Sequence, residues 1–392
     1  MELTILMPCL NEAETIATCI GRARKLLDDH RIDGEILISD NGSTDGSIEI
    51  AERLGARVTH CPVRGYGAAL QHGIANAAGD FVIMGDSDDS YHFDEAFNIL
   101  EKLREGYDVC MGTRLKGSIE EGAMPLLNRY LGNPVLTGIG KVLFGISTSD
   151  FHCGMRGFRR EAVCALDLAT TGMELASEMV IKAWLGGLSF SEVPITLHRD
   201  GRSRPPHLRR WRDGWRHLRF MLLHAPTWLF IYPGTGLILC ATVLGAMILR
   251  GPVKIGAANL DVHSLLTMSF VLLLGIQTIF AGLFANLYGH VAGILPVSRR
   301  FIKRLEKFSL EKLLVAALLL GTAGGWIFVD TFIQWRGAGY PELDYRSTMR
   351  QLIPALTLMS VSIQAVVNGF MFSLLFLKTK HTGAIKIPES KG

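Results

Sequence analysis

Asp40-Asn41-Gly42-Ser43-Thr44-Asp45 follows the run Glu35-Ile36-Leu37-Ile38-Ser39, and Asp86-Ser87-Asp88 follows Phe81-Val82-Ile83-Met84. Each acidic stretch stands at the end of a short apolar or β-branched run, the pattern of a buried strand leading into a turn. In a parallel sheet this places carboxylates along the carboxyl edge of adjacent strands, where open α/β folds bind ligands. Two carboxylates one residue apart, Asp86 and Asp88, can share a divalent cation, and that cation can hold a diphosphate. Either stretch alone reads as an ordinary turn, because Asp, Asn, Gly and Ser are turn residues. Together, each after a strand, they point to a nucleotide-sugar site.

The residues around them alternate strand and helix. LTILMP reads as a buried strand ending at Pro8, and 13–28 as a helix with Ile16, Cys19, Ile20, Ala23 and Leu27 on one face. EILIS is a second strand, Ser43 to Leu54 opens a helix, and ARVTHC is a third strand. GAALQHGIANAA then reads as a helix, FVIMG as a fourth strand, 93–104 as a helix and DVCMGTR as a fifth strand. Repeated βα units predict an α/β domain with a mostly parallel, Rossmann-like sheet. No internal repeat or low-complexity tract interrupts it.

Composition divides the 392 residues in two. A hydrophobic content of 48% is high for a soluble protein, and the excess lies after Pro226. Four segments there, 227–249, 264–288, 313–335 and 352–377, approach or exceed the ~20 apolar residues that a bilayer core requires. Any one could be a helix in a large soluble core; four in succession separated by charged loops argue for membrane spans. Arginines from Arg202 to Arg219 precede the first span, Arg299, Arg300, Lys303, Arg304, Lys307 and Lys312 separate the second and third, and Lys378, Lys380, Lys386 and Lys391 follow the fourth. The positive-inside rule then places the catalytic region and both termini in the cytoplasm. Met1 leads almost directly into LTILM, so no signal peptide is expected. The seven cysteines show no metal-ligand spacing and read as reduced thiols. The expected domains are 1–205 for the α/β unit, 206–225 for an amphipathic interfacial helix, 226–378 for the membrane region with its basic segment 290–312, and 379–392 for a tail. In 206–224, Leu208, Trp211, Trp215, Leu218 and Leu222 form one helical stripe flanked by arginines, as in helices lying at the headgroup level.

PCLNEAETI, ISDNGSTDGS, GYGAAL and MGDSDDSY occur in this order, and with them the chain resembles family 2 glycosyltransferases of GT-A fold. Within that family it is most similar to the polyprenyl-phosphate glycosyltransferases, the group of dolichyl-phosphate mannose and glucose synthases. The resemblance covers about residues 1–220 and implies a role for each matching residue. Pro8, Leu10 and Glu12 match the motif that holds base and ribose. Asp40 matches the acid that reads the base, with Asn41 where many members have a second Asp. Asp86, Ser87 and Asp88 match the metal-binding DxD; Ser90 stands where many relatives have a Gln ligand. Gly67 lies in the loop before the third helix, and Tyr66 replaces a frequent Lys. Ser203 and Arg204 resemble part of a loop that closes over donor phosphates. Arg114, Arg129, Asn133 and Arg156 are the acceptor-phosphate candidates, since guanidinium groups bind phosphate through paired hydrogen bonds. Asp88 and Asp150 are the catalytic candidates, Asp150 matching a position proposed as base, although orienting an arginine or the acceptor is an equal reading. His152 reads as structural.

The resemblance implies an inverting transfer of one sugar from a nucleotide-sugar, with Mg²⁺ or Mn²⁺, to undecaprenyl or dolichyl phosphate at the cytoplasmic membrane face. UDP-glucose is favoured and GDP-mannose admitted. A phosphate monoester with its second pKa near 6 needs little base assistance to attack an anomeric carbon. The expected partners are donor, polyprenyl phosphate and membrane lipid, with no nucleic acid; a homo-oligomer is admitted. Two other readings compete. His207-Leu208-Arg209-Arg210-Trp211 nearly matches the QxxRW motif of processive polysaccharide synthases, with His for Gln and no preceding spans. A transporter or lipid flippase with a degenerate nucleotide domain would use Gln277, Asn286 and Gln364 as pathway groups.

Overall fold

A computed structural model describes residues 1–203, 210–292, 295, 309–337, 339 and 344–376. The chain forms two compact units, Met1–Leu223 and His224–Gly392. In the first, seven strands form one sheet in the order β3-β2-β1-β4-β6-β5-β7: β1 (Leu3–Cys9), β2 (Gly34–Asp40), β3 (Arg57–His60), β4 (Phe81–Met84), β5 (Val109–Ile119), β6 (Arg156–Arg159) and β7 (Phe190–Leu197). Pairing is parallel throughout except at β6, which runs antiparallel between β4 and β5. The central strand β1 alternates its side chains between two cores. Leu3, Ile5 and Met7 pack with helix α1 (Ile16–Asp29), while Leu6 joins Leu70 and Ile74 of α3 (Tyr66–Asn76) on the other face. Burial on both faces explains why β1 and β2 read as continuous apolar runs.

The two acidic turns do not end adjacent strands. β2 and β4 each pair with β1, one on either side, and the strand order reverses between β1 and β4. Such a reversal separates the connections above neighbouring strands and opens a crevice at their carboxyl ends. The remaining helices of this unit are α2 (Ser47–Arg53), α4 (Phe97–Arg104), α5 (Asn133–Phe144), α6 (Arg160–Cys164), α7 (Leu175–Leu185) and α8 (Arg210–Leu223).

Helix α8 covers most of the segment expected to be amphipathic; 204–209 lie outside the described residues. Its polar face points inward: Asp213, His217 and Met221 are buried, and His217 Nδ1 meets the Ser177 hydroxyl of α7 at 2.8 Å. Trp211 and Trp215 are 84% and 59% exposed, which leaves the aromatic stripe uncovered.

In the second unit, the segments Thr227–Arg250, Val262–Val291, Leu310–Gly337 and Tyr345–Leu375 are long and apolar enough to cross a membrane. They contain α9 (Tyr232–Arg250), α10 (Val262–Val291), α11 (Leu310–Gly337) and α12 (Tyr345–Phe376). Glycines bring α9 and α10 together; a Cβ on Gly234 would sit 2.9 Å from the carbonyl of Gly275. Polar groups pair across α10 and α12, Ser269 with Thr357 at 2.6 Å and Asn368 Nδ2 with Gln277 Oε1 at 3.3 Å. A small antiparallel pair not anticipated in the sequence, β8 (Val253–Ile255) and β9 (Ala258–Leu260), joins α9 to α10. Most of the basic segment 290–312 and all of the tail 379–392 lie outside the described residues.

Gly65, before α3, has φ +143°, and a Cβ there would meet the Thr171 carbonyl oxygen at 2.1 Å. Gly46 also has positive φ, +88°, but open space around it. Gly65→Ala should therefore lower stability by about 2–4 kcal/mol and Gly46→Ala by about 1 kcal/mol. Thermal unfolding of the two variants in detergent checks this, and equal losses would contradict the packing at Gly65.

Candidate active site

At the end of β2, Asp40 turns its carboxylate into its own loop. Oδ1 accepts the Ser43 N–H at 2.9 Å, Oδ2 accepts the Gly42 N–H at 3.2 Å, and His60 Nδ1 lies 3.2 Å from Oδ2. Burial pushes the Asp40 pKa up, but the hydrogen bonds from Ser43, His60 and Gly42 outweigh it and hold the group below the usual carboxylate range. Asn41 uses both ends of its amide: Nδ2 donates to the Val63 carbonyl and Oδ1 accepts the Gly65 N–H, each at 2.8 Å. A carboxylate could not make the first bond, which accounts for Asn in place of a second Asp.

Ser87 ties the β4 edge to β1. Its hydroxyl donates to the Pro8 carbonyl at 2.7 Å, and its own carbonyl accepts the Thr15 hydroxyl at 2.7 Å. Glu12 is buried beside it, its N–H donating to Ser47 Oγ at 2.8 Å. Leu10 lies half-buried on the same connection. A cavity of about 190 Å³ lies between Asn11, Glu12, Glu14, Asp45 and Arg202.

The two β4 carboxylates are held separately. The Tyr66 hydroxyl donates to Asp86 Oδ1 at 2.9 Å. Asp88 Oδ1 accepts the N–H and the hydroxyl of Ser90 at 3.0 and 2.5 Å, and Arg202 reaches Oδ2 at 2.6 Å. Arg202 also lies 3.0 Å from Asp200 and 3.4 Å from Glu12. It sits on a strap, 198–203, laid across the β4 loop: the His198 N–H donates to the Ser90 carbonyl at 3.0 Å and the Gly201 N–H to the Asp88 carbonyl at 2.9 Å. Burial first, then the neighbouring Asp88 charge, raises the Asp86 pKa to about 6. Two carboxylates this close, one already bridged by a guanidinium, suit a divalent cation, which would relieve the repulsion that raises Asp86.

Several expected residues have other duties. The Ser90 hydroxyl donates to Asp88 and so orients that carboxylate. Ser203 is clamped to Glu14, N–H and hydroxyl donating at 2.7 and 2.6 Å, and Arg204 lies outside the described residues. Gly67 packs on backbone: a Cβ would lie 2.6 Å from the carbonyls of Thr170 and Gly172, so its smallness serves loop packing. Glu178 holds that loop through the N–H groups of Ala169 and Thr170, at 2.9 and 2.8 Å.

On the other side of the β4 loop, Arg114 and Asp150 form a two-pronged pair. Nε and one terminal nitrogen of Arg114 donate to the two carboxylate oxygens at 2.7 and 2.8 Å, and the Arg114 N–H adds a third bond at 3.1 Å. Asp150 is 0% exposed and bonds Arg114 through both of its oxygens. The remaining Arg114 nitrogen reaches Tyr91 Oη at 3.4 Å. Arg156 is also 0% exposed; its guanidinium donates to the carbonyls of Cys153 and Ala176 at 2.6 and 3.0 Å. It braces the core and does not present its charge to an acceptor. Arg129 is half-buried and lies over the Tyr130 ring at 5.6 Å, while Asn133 Nδ2 contacts Met124 Sδ at 3.4 Å. Arg202 and Tyr66 touch the two carboxylates, and no motif singles out either as a site residue: Arg202 stands one residue before Ser203, and Tyr66 replaces a frequent Lys.

The glycosyl transferase family 2 model matches residues 4–166, and the model of the family 2 C-terminal transmembrane region matches 283–376. The low-salt glycan biosynthesis hexosyltransferase Agl6 of Haloferax volcanii is 36% identical over 377 residues, 95% of this chain and 89% of that protein. A dolichyl-phosphate hexose transferase of the same organism is 31% identical over 194 residues, 50% of this chain and 82% of that protein. Glucosyl-3-phosphoglycerate synthase from Mycobacterium tuberculosis, solved with Mn²⁺, uridine diphosphate and glucosyl-3-phosphoglycerate, is similar over 57% of this chain and 78% of that chain, at 25% identity and TM-score 0.46. The chain belongs to glycosyltransferase family 2. It is a glycosyltransferase and an integral membrane protein.

The folded protein must ionise Asp86 above pH about 6, against its raised pKa, so this group lowers stability as pH rises through that value. Cation binding should need the ionised form and weaken below that pH. Tyr66→Phe removes the hydrogen bond that favours ionised Asp86. The acid limb of kcat/KM should move up by roughly one pH unit in Tyr66→Phe, with little change at pH 8. An acid limb identical to that of the unmutated enzyme would remove Tyr66 from this role.

Proposed function

We propose that this glycosyltransferase moves one sugar from a nucleotide-sugar to a polyprenyl phosphate at the cytoplasmic face of the membrane, with inversion at the anomeric carbon. The observation that carries the reading is the Asp86/Asp88 pair at the β1–β4 crevice, with Arg202 on one carboxylate and the Arg114–Asp150 pair on the other side of the loop. In this reading Glu12, Asp40 and the Asn41-held loop bind the nucleoside, and Asp86 and Asp88 hold Mg²⁺ or Mn²⁺ against the diphosphate. The bound cation would stabilise charge on the departing nucleoside diphosphate. Arg202, freed from Asp88, would turn to the same phosphates.

The acceptor phosphate oxygen would form the new bond to the anomeric carbon as the bond to the diphosphate breaks. The electron pair leaves with the diphosphate. The acceptor is already ionised near neutral pH, so the chemistry asks no base of Asp150. Arg114 and Arg129 would receive the acceptor phosphate, and the exposed Trp211 and Trp215 of α8 would sit at headgroup depth. In the sequence, α8 ends at Leu223 and the first apolar span begins at Thr227. Similarity to a dolichyl-phosphate hexose transferase supports the lipid acceptor. UDP-glucose is the favoured donor and GDP-mannose the second.

Purified protein given a panel of UDP- and GDP-sugars with undecaprenyl or dolichyl phosphate should yield a lipid phosphate carrying one sugar, read by mass spectrometry. A polymer would favour a processive synthase, and no product with any donor would contradict the reading. Arg129→Ala should weaken use of the lipid phosphate roughly ten- to hundredfold, as for loss of one charge-assisted contact, and leave donor affinity unchanged by calorimetry. An equal fall in donor affinity would place Arg129 at the donor instead.

A further inference from the structure

At the root of the strap, away from the Asp86/Asp88 pair, two imidazoles and two carboxylates converge. His92 precedes the turn Phe93–Glu95, and His198 follows the last residue of β7. Their rings stack with centroids 3.3 Å apart and planes 8° from parallel. His198 Nδ1 lies 2.8 Å from Glu120 Oε1, and His198 Nε2 lies 3.1 Å from Glu95 Oε1. His92 Nδ1 approaches that same Glu95 oxygen at 3.7 Å, and His92 Nε2 is 3.9 Å from Asp89.

Glu120 occupies Nδ1 of His198, so Nε2 is the ring nitrogen turned toward Glu95, and His92 Nδ1 faces the same Glu95 oxygen. A carboxylate behind one ring nitrogen, with the other nitrogen left for a metal, is the usual outer arrangement of histidine metal sites. Ligand atoms of His92, Glu95 and His198 all lie within 4.8 Å of one another.

We propose that His92, Glu95 and His198 form a second metal site, for a borderline divalent ion of the zinc type, with Glu120 orienting His198 and a fourth position open to water. Two imidazoles and one carboxylate suit Zn²⁺ better than Mg²⁺, which prefers oxygen ligands. The site joins the turn after the β4 loop to the root of the strap, four residues before Arg202. An ion here would fasten the strap over Asp88. That consequence rests on the donor-site reading above, but occupancy of the site does not.

The test is ZnCl₂ titration of untagged, full-length Asp86→Asn/Asp88→Asn protein in detergent, with Mg²⁺ in excess, by calorimetry. One equivalent of Zn²⁺ should still bind, and Co²⁺ in its place should give the intense visible bands of a tetrahedral site. His92→Asn/His198→Gln should abolish that binding, and Glu120→Gln should weaken it roughly ten- to hundredfold. Glu95 is 42% exposed, so Glu95→Gln keeps the fold and serves as the check if the double histidine variant unfolds; it should also weaken Zn²⁺ by at least roughly tenfold. No Zn²⁺ equivalent in the starting protein, or one that all these variants retain, would overturn the proposal and leave His198 as a hydrogen-bonded link between Glu95 and Glu120. Because the readout is binding, its failure would not touch the proposed transfer reaction, and failure of that reaction would not touch the site.

Discussion

Asp86 and Asp88 are two like charges held side by side at the end of a strand, partly shielded from water, and most of what surrounds them counters their repulsion. The Tyr66 phenol donates to the first; Ser90 and Arg202 take up the second. Burial first, and then the Asp88 charge, still leave the Asp86 pKa raised. A polypeptide keeps such a pair where a cation is to be bound, since the same closeness that penalises two bare carboxylates strengthens their grip on a divalent ion. The β1–β4 strand reversal supplies the place. The Asn41 amide, the Gly65 backbone and the Glu178-held loop 169–171 then fix the start of α3, which delivers Tyr66.

The opposite side of the loop solves a different problem. In the proposed reaction the acceptor phosphate brings its own nucleophilic oxygen, so the protein would only have to supply positive charge in a fixed direction. Arg114 has its fork oriented by buried Asp150, leaving one nitrogen toward Tyr91. Arg156 shows the limit of counting arginines: its guanidinium has no exposure and is bonded to backbone carbonyls.

Much of this was legible in the residues. The continuous apolar runs of β1 and β2 predicted buried parallel strands, and the acidic turns predicted carboxylates at the carboxyl ends of strands, where β2 and β4 carry them. The four apolar segments announced helices of spanning length, three of them within about three residues of where they occur, while the fourth begins at Tyr345 and not at 352. What stayed hidden depends on non-local contact. That β2 and β4 flank β1, and are not neighbours, follows from the sheet order, which local periodicity does not encode. The antiparallel strand β6 is only four residues, Arg156–Arg159, too short for an alternation to mark it in the sequence. Whether Arg202 or Ser203 faces the carboxylates depends on how the strap is tied to the 88–90 backbone. The inward polar face of α8, with its exposed tryptophans, was half visible: the stripe could be read, but not that Asp213 and His217 lie against the fold.

The account stands or falls on cation and diphosphate binding as one event at Asp86 and Asp88. Mn²⁺ titrated into the full-length protein and followed by electron paramagnetic resonance, with and without uridine diphosphate, measures that coupling. Each ligand should tighten the other by the same factor, and Asp88→Asn should abolish the effect. Mn²⁺ binding that is indifferent to the nucleotide, or coupling that survives Asp88→Asn, would contradict the assignment of this crevice.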